Sequence, residues 1–292
     1  MKTKNNIKKI LLLCFGLAGW GLVSDAQIRK TGSPASQEEY WTLIFHADSL
    51  MEHQQLAVAE QCYDRAFSVE KYILPSSLLT TARKMEAAGR EAAARKYIGL
   101  RVRMEPDFYL EDAPVFAALA DTFRSRAQRY GYDVALKERL EQIFEHDQYD
   151  RALWRLACTE SGGDSLRIQQ LARRAINTDR ANLIAVNDLL QGQGFPQKKR
   201  VGEFAVQAVW IVFQHSDLDN QKHFLPILRK AVASGDIDPA CLAILEDRIN
   251  VRDGKPQRYG SQYGPDGKLC PLLDSSRVDE WRKEVGLPPL KH

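Results

Sequence analysis

The segments AEQCYDRA at residues 59–66 and AARKYIGL at residues 93–100 decide the fold. Ala59, Tyr63 and Ala66 recur at i, i+4 and i+7, which puts them on one face of a helix, and Leu43, Ala47 and Leu50 make the same stripe upstream. A shift of 34 residues carries Ala59 onto Ala93, Tyr63 onto Tyr97 and Ala66 onto Leu100, while Ala47 falls one residue short of Ala82. Helices with a small-residue face, repeated at a fixed interval, indicate stacked helical hairpins. No alternating β-branched pattern competes, so the chain reads as all-α.

This interval and the Ala and aromatic choices resemble tetratricopeptide repeats, in which small residues let antiparallel helices approach closely and an aromatic wedges between them. Pro106 closes the second unit, and Phe116, Leu119, Ala120 and Phe123 open a third, degenerate hairpin. A non-repetitive bundle using the same stripes is the alternative.

Working toward the N-terminus, Lys2, Lys4, Lys8 and Lys9 precede an apolar run at residues 10–23, and Ser24-Asp25-Ala26 follows. That order reads as a secretory signal at residues 1–26, cut before Gln27, and it implies export to a periplasmic or extracellular space. The run of 14 residues falls short of the about 20 that a membrane-crossing helix needs, so no stable span is expected after cleavage. Setting the segment aside removes four of 41 basic and one of 38 acidic residues and leaves the remainder formally neutral. Such a chain has no overall field to attract nucleic acid or anionic lipid. Residues 27–37, with Gly32, Ser33 and Pro34, read as a disordered polar leader.

Four cysteines follow the signal, Cys62, Cys158, Cys241 and Cys270, without a C-x-x-C pair. Thiolate metal binding is therefore not expected, and the disulfide pattern is open. Cys62 and Cys158 sit among apolar residues and read as small buried hydrophobes.

Toward the C-terminus the pattern predicts helices at residues 134–145, 149–159, 166–177, 181–190, 201–214, 224–233, 240–251 and 278–285. The stretch at residues 201–214 has few polar positions and reads as central. Residues 252–271 break the pattern with Gly254, Pro256, Gly260, Gly264, Pro265, Gly267 and Pro271. A loop that long in a compact domain is usually functional or disordered. Tyr259, Leu269, Pro256 and Pro265 argue for order, with the segment at residues 254–262 seated on the helix at residues 201–214. The organisation expected is thus a tetratricopeptide-like region at residues 38–132 and a helical domain with one long Gly/Pro-rich loop at residues 133–292.

In that loop, Lys255-Pro256-Gln257-Arg258-Tyr259-Gly260-Ser261-Gln262 resembles the signature of a bacterial family of unknown function catalogued as number 6624. Asp147-Gln148 with Arg151, Asp179 with Asn182, Gly194-Phe195-Pro196, Val201-Gly202, Trp210 before Gln214-His215, Asp247-Arg248, Val278-Asp279 with Arg282, and Gly286-Leu287 with Pro289-Leu290 are similar to its other motifs, in order. Ser261 stands where Thr is commoner, Gln197 follows Pro196 where Thr is frequent, and Trp281 replaces an Arg. The resemblance supplies no activity.

Candidate chemistry therefore rests on residue type. His215, two residues before Asp217, is a candidate general base, or a helix C-terminal residue facing the dipole. Tyr259, Ser261 and Gln262 with Arg248 and Gln257 offer donors to a carboxylate, phosphate or sugar hydroxyl, or else pin the loop's own backbone. Asp147, Gln148 and Arg151 form a second candidate set, with Asp147 as an N-cap the plainer reading. Asp247-Arg248 is an anion clamp or an internal ion pair. No nucleophile elbow, Walker loop, H-E-x-x-H helix, dinucleotide fingerprint or EF-hand occurs, and no cofactor or metal site is expected. Two functions follow: an extracytoplasmic binding or assembly module for a protein, peptide or glycan, and a hydrolase with His215 as base and Tyr259, Ser261 and Gln262 positioning substrate.

Overall fold

The computed structural model of the chain describes residues 34–69, 73–104, 131–159, 164–264 and 266–290. The signal and the third hairpin expected near Phe116 lie outside them. Among the described residues there are eleven helices and no strand, so the protein is all-α. They fall into two compact units, residues 34–178 with 196–208, and residues 179–195 with 209–290.

The first unit opens with α1 (Pro34–Glu52), which begins inside the expected leader because Pro34 supplies a helical φ where no N–H partner is needed. It pairs with α2 (Leu56–Ala66), and α3 (Pro75–Ala87) pairs with α4 (Glu91–Met104). Both hairpins turn alike: Gln54 and Gly89 take positive φ of 59° and 71°, and the next N–H reaches back five residues, Gln55 to Leu50 O at 2.9 Å and Arg90 to Met85 O at 2.8 Å.

The matched turns lie 35 residues apart, Gln54 against Gly89, and burial follows that interval. The buried set Ala59, Cys62, Tyr63 and Ala66 of α2 maps onto the buried Ala94, Tyr97, Ile98 and Arg101 of α4, and Trp41, Leu43, Ile44 and Ala47 map onto Ser76, Leu78, Leu79 and Ala82. The interval is therefore one residue longer than the tyrosine match suggests, and it brings Ala47 onto Ala82. Tyr97 takes the place of Cys62, with Ile98 in that of Tyr63.

The two hairpins are tied to α5 (Val134–Thr159) at one carboxylate. Asp48 of α1 accepts from Tyr63 Oη of α2, from Lys84 Nζ of α3 at 2.6 Å and from Tyr149 Oη of α5 at 3.0 Å. Around it Tyr149 meets Trp41 and Phe45 edge-on, at centroid distances of 5.9 and 4.8 Å. Helix α5 is continuous where two helices were expected, since His146-Asp147-Gln148 contains neither Gly nor Pro and a buried face runs through it. For the same reason α6 (Ser165–Gln193) runs through Thr178-Asp179-Arg180.

The expected helix at residues 201–214 is instead a short α7 (Lys198–Val201) and a longer α8 (Glu203–His215). Gly202 separates them at φ 84°, and the Lys137 ammonium would lie 3.2 Å from any Cβ placed there.

In the second unit α9 (Leu218–Ala233) begins six residues earlier than expected, because Asp217 caps it by accepting from Asn220 N at 2.8 Å. Asp238 caps α10 (Pro239–Arg252), with Pro239 in the first turn. Helices α9 and α10 pack together, Trp210 Nε1 of α8 donates to Cys241 O of α10 at 2.9 Å, and α11 (Val278–Glu284) closes the chain. No disulfide joins Cys62, Cys158, Cys241 and Cys270; Cys62 is buried as expected, whereas Cys158 is exposed near the end of α5, and no helix among the described residues is long and apolar enough to cross a membrane.

Candidate functional site

The Gly/Pro-rich loop is built around Asp247, a fully buried carboxylate on α10. Its two oxygens accept from the backbone N–H groups of Arg258 at 2.8 Å, Tyr259 at 3.0 Å and Ser261 at 3.0 Å, and from Ser261 Oγ at 2.9 Å. Gly260, at φ 64°, lets the donors on either side of it, at residues 258, 259 and 261, turn toward one anion. Burial pushes the Asp247 carboxyl above its ordinary value, opposed by those four hydrogen bonds.

The expected ligand donors serve the same cradle. Gln257 Nε2 donates to Gln262 O and Cys270 O, both at 2.9 Å, and its Oε1 accepts from Gln262 N at 2.8 Å. Gln262 Nε2 donates to Ser261 O at 3.1 Å and Ser261 Oγ at 3.0 Å. Tyr259 is buried under the Arg258 guanidinium, 5.4 Å from its ring, and Arg258 also covers Trp281 at 4.8 Å. Arg282 of α11 clamps the loop from the other side, Nη1 donating to Tyr259 O at 2.6 Å and Nε to Pro288 O at 2.5 Å. The loop is thus ordered, but its hydrogen-bonded anchors are on α10 and α11 rather than on the helix at residues 201–214. Arg248, next along α10, is buried too.

Asp147, Gln148 and Arg151 also come together, in the other unit. Asp147 is no N-cap: it lies midway along α5, buried, with Gln148 Nε2 at 2.8 Å and Arg151 Nε at 3.3 Å. Burial raises its carboxyl against the opposing pull of Arg151 and Gln148. A carboxylate held inside a helix by its i+4 arginine forms an internal ion pair of the kind whose desolvation cost rivals its Coulomb gain.

His215 is the last residue of α8. Its expected carboxylate, Asp217, is occupied in capping α9. Instead Asp179 of α6 brings a carboxylate oxygen within 4.8 Å of an imidazole nitrogen. Groups so placed can hold one water or one cation between them, and imidazole is the side chain whose unperturbed titration falls in the neutral range. Asp179 is the residue that sequence reasoning did not place at a site, although it stands among the motifs. His223, by contrast, packs edge-on against Phe224 at 5.5 Å.

A further open feature lies on the first hairpin, a surface groove of about 490 Å³ lined by Glu38, Glu39, Thr42, Leu43 and Arg65.

No curated protein and no solved structure matches the chain. One family model does, over residues 134–292, which span the Asp247 cradle, the Asp147 ion pair and the Asp179–His215 pair. Covering more than half of the sequence, that match places the chain in the family of unknown function DUF6624.

Proposed function

We propose that the protein is an exported binding or assembly module whose N-terminal hairpins present a surface to a protein, peptide or glycan. The observation that carries this reading is the 35-residue register of the hairpins, Gln54 against Gly89. Each repeat buries one stripe, and the outer face of the first carries the groove lined by Glu38, Glu39, Thr42 and Arg65. Stacked helical repeats offer concave surfaces to partners. Export is supported by the basic, apolar and small-residue order of residues 1–26.

The test has two parts. N-terminal sequencing of the protein from the extracytoplasmic fraction is expected to start at Gln27, and an intact Met1 in soluble cytoplasm ends the export reading. A photoreactive label at Thr42 is expected to crosslink one partner that the same label at Arg229 does not capture, and the crosslink should vanish with Glu38→Lys and Glu39→Lys. Identical products from both label positions would end the binding reading.

A hydrolase is the second reading, favoured by the Asp179–His215 pair. Here His215 acts as base and Asp179 orients it, while the side chains of Gln257, Ser261 and Gln262 already have partners in the loop or at Asp247. Turnover of ester, amide or phosphoester probes that His215→Asn abolishes at unchanged stability would establish it.

A further inference from the structure

The junction between α8 and α9 holds two glutamines with no contact to solvent worth the name, Gln214 at 1% and Gln221 at 0% exposure. Gln221 Nε2 donates to the backbone carbonyl of Gln214 at 2.8 Å, which fixes the orientation of that amide. Three amide atoms then have no hydrogen-bond partner among the described residues: Gln221 Oε1, Gln214 Oε1 and Gln214 Nε2.

The surroundings make this costly. Phe213 and Phe224 stack beside the junction at 4.2 Å, so the local medium is apolar. The neighbouring polar groups of the turn are paired, Ser216 Oγ to Phe213 O at 2.8 Å and Arg252 Nη1 to Ser216 O at 2.8 Å. Leu or Met would fill the volume of either glutamine without any orphaned polar atom, and buried amides normally find partners. A bound group that meets them is the simplest account of why glutamine stands at both positions.

The donor set defines that group. One NH₂ offers hydrogens and two carbonyl oxygens accept them. An anion would face two repelling oxygens, and a cation would face the NH₂ hydrogens. Water, with two hydrogens to give and lone pairs to accept, has the bonding capacity for all three, and a hydroxyl has it for Gln214 Nε2 and one of the oxygens. We propose that Gln214 and Gln221 form an internal hydroxyl-binding site, filled by water or by the hydroxyl of a small polyol. Internal waters that make two to four such bonds are integral parts of folded chains.

The test uses the whole mature chain and two probes, water and glycerol. The side-chain NH₂ resonances of Gln214, assigned by their loss in Gln214→Met, are expected to show long-lived cross-relaxation to water. If glycerol removes that signal and raises Tm in the parent but not in Gln214→Met or Gln221→Met, the occupant is a polyol hydroxyl. If the water signal persists in glycerol, the occupant is water. The absence of both the water signal and any response to glycerol that differs between the parent and Gln214→Met or Gln221→Met overturns the proposal.

Discussion

Replacing Asp247 by Ala tests whether the loop braces the fold. The substitution takes the acceptor from three backbone N–H groups, those of Arg258, Tyr259 and Ser261, and from Ser261 Oγ. Each buried donor left unpaired costs about 1–3 kcal/mol, but the small cavity admits water and the contributions are not additive. Against this, the variant no longer desolvates a carboxylate. A net loss of about 3–5 kcal/mol is expected, a large part of the about 5–15 kcal/mol that holds a typical domain. Asp247→Asn keeps one acceptor oxygen but turns an NH₂ toward donors, for a loss of about 2–3 kcal/mol. Urea unfolding gives the free energies, and amide exchange at residues 258–261 shows whether the loss is local or global. If Asp247→Ala stays within about 0.5 kcal/mol of the parent while exchange at Tyr259 and Ser261 remains slow, the cradle is not what orders the loop.

Gly260→Ala should destabilise by about 2–3 kcal/mol, because it adds backbone strain to contacts of 3.2 Å with Leu272 and 3.3 Å with Leu290, whereas Gly267→Ala, with nothing within 4 Å, should cost only the strain of about 1 kcal/mol; equal losses in thermal unfolding would count against the packing argument. Arg282→Lys should lose about 1–2 kcal/mol, since an ammonium cannot reach Tyr259 O and Pro288 O together, and a denaturation midpoint unchanged from the parent would refute the clamp. Burial raises the Glu145 carboxyl despite its bond from Thr80 Oγ1 at 2.9 Å, so the folded state holds that proton more tightly than the unfolded one. Its contribution is complete below the ordinary carboxyl range and is lost as pH rises through the raised value, so Glu145→Gln should gain stability relative to the parent between pH 4 and pH 8; a gap that does not widen with pH contradicts this.

Helix content was legible in the sequence because it rests on side-chain periodicity, which letters record. Breaks were legible where a residue imposes them: Pro239 starts α10, and the glycines and prolines of residues 252–271 mark the loop. They were misread where polarity alone suggested them, at His146-Asp147-Gln148 and Thr178-Asp179-Arg180, since a polar residue interrupts a helix only if its backbone gains an alternative partner. The repeat was found at the wrong interval for a related reason. Two tyrosines match as letters, but the turn at Gln54 and Gly89 sets the register, and Gln54 at φ 59° carries no turn signature.

The site residues divide along the same line. Asp247 could be read only as a partner for a charged neighbour, because side chains are what a sequence displays. Its partners are instead the main-chain N–H groups of residues 258, 259 and 261, which every non-proline residue possesses and which become donors to one anion only through the backbone path at Gly260. Asp179 and His215 stand on different helices, so no local spacing announces them. The two features ask for different chemistry. A carboxylate met by four donors resists change and suits a scaffold, whereas Asp179 and His215 set a carboxylate oxygen within 4.8 Å of an imidazole nitrogen. Any reaction or pH-dependent binding in the second unit is therefore to be sought at Asp179 and His215 and not in the loop that carries the family's signature, and a histidine titration measured in the parent and in Asp179→Asn would decide it: a His215 pKa unmoved by the substitution removes the coupling on which this rests.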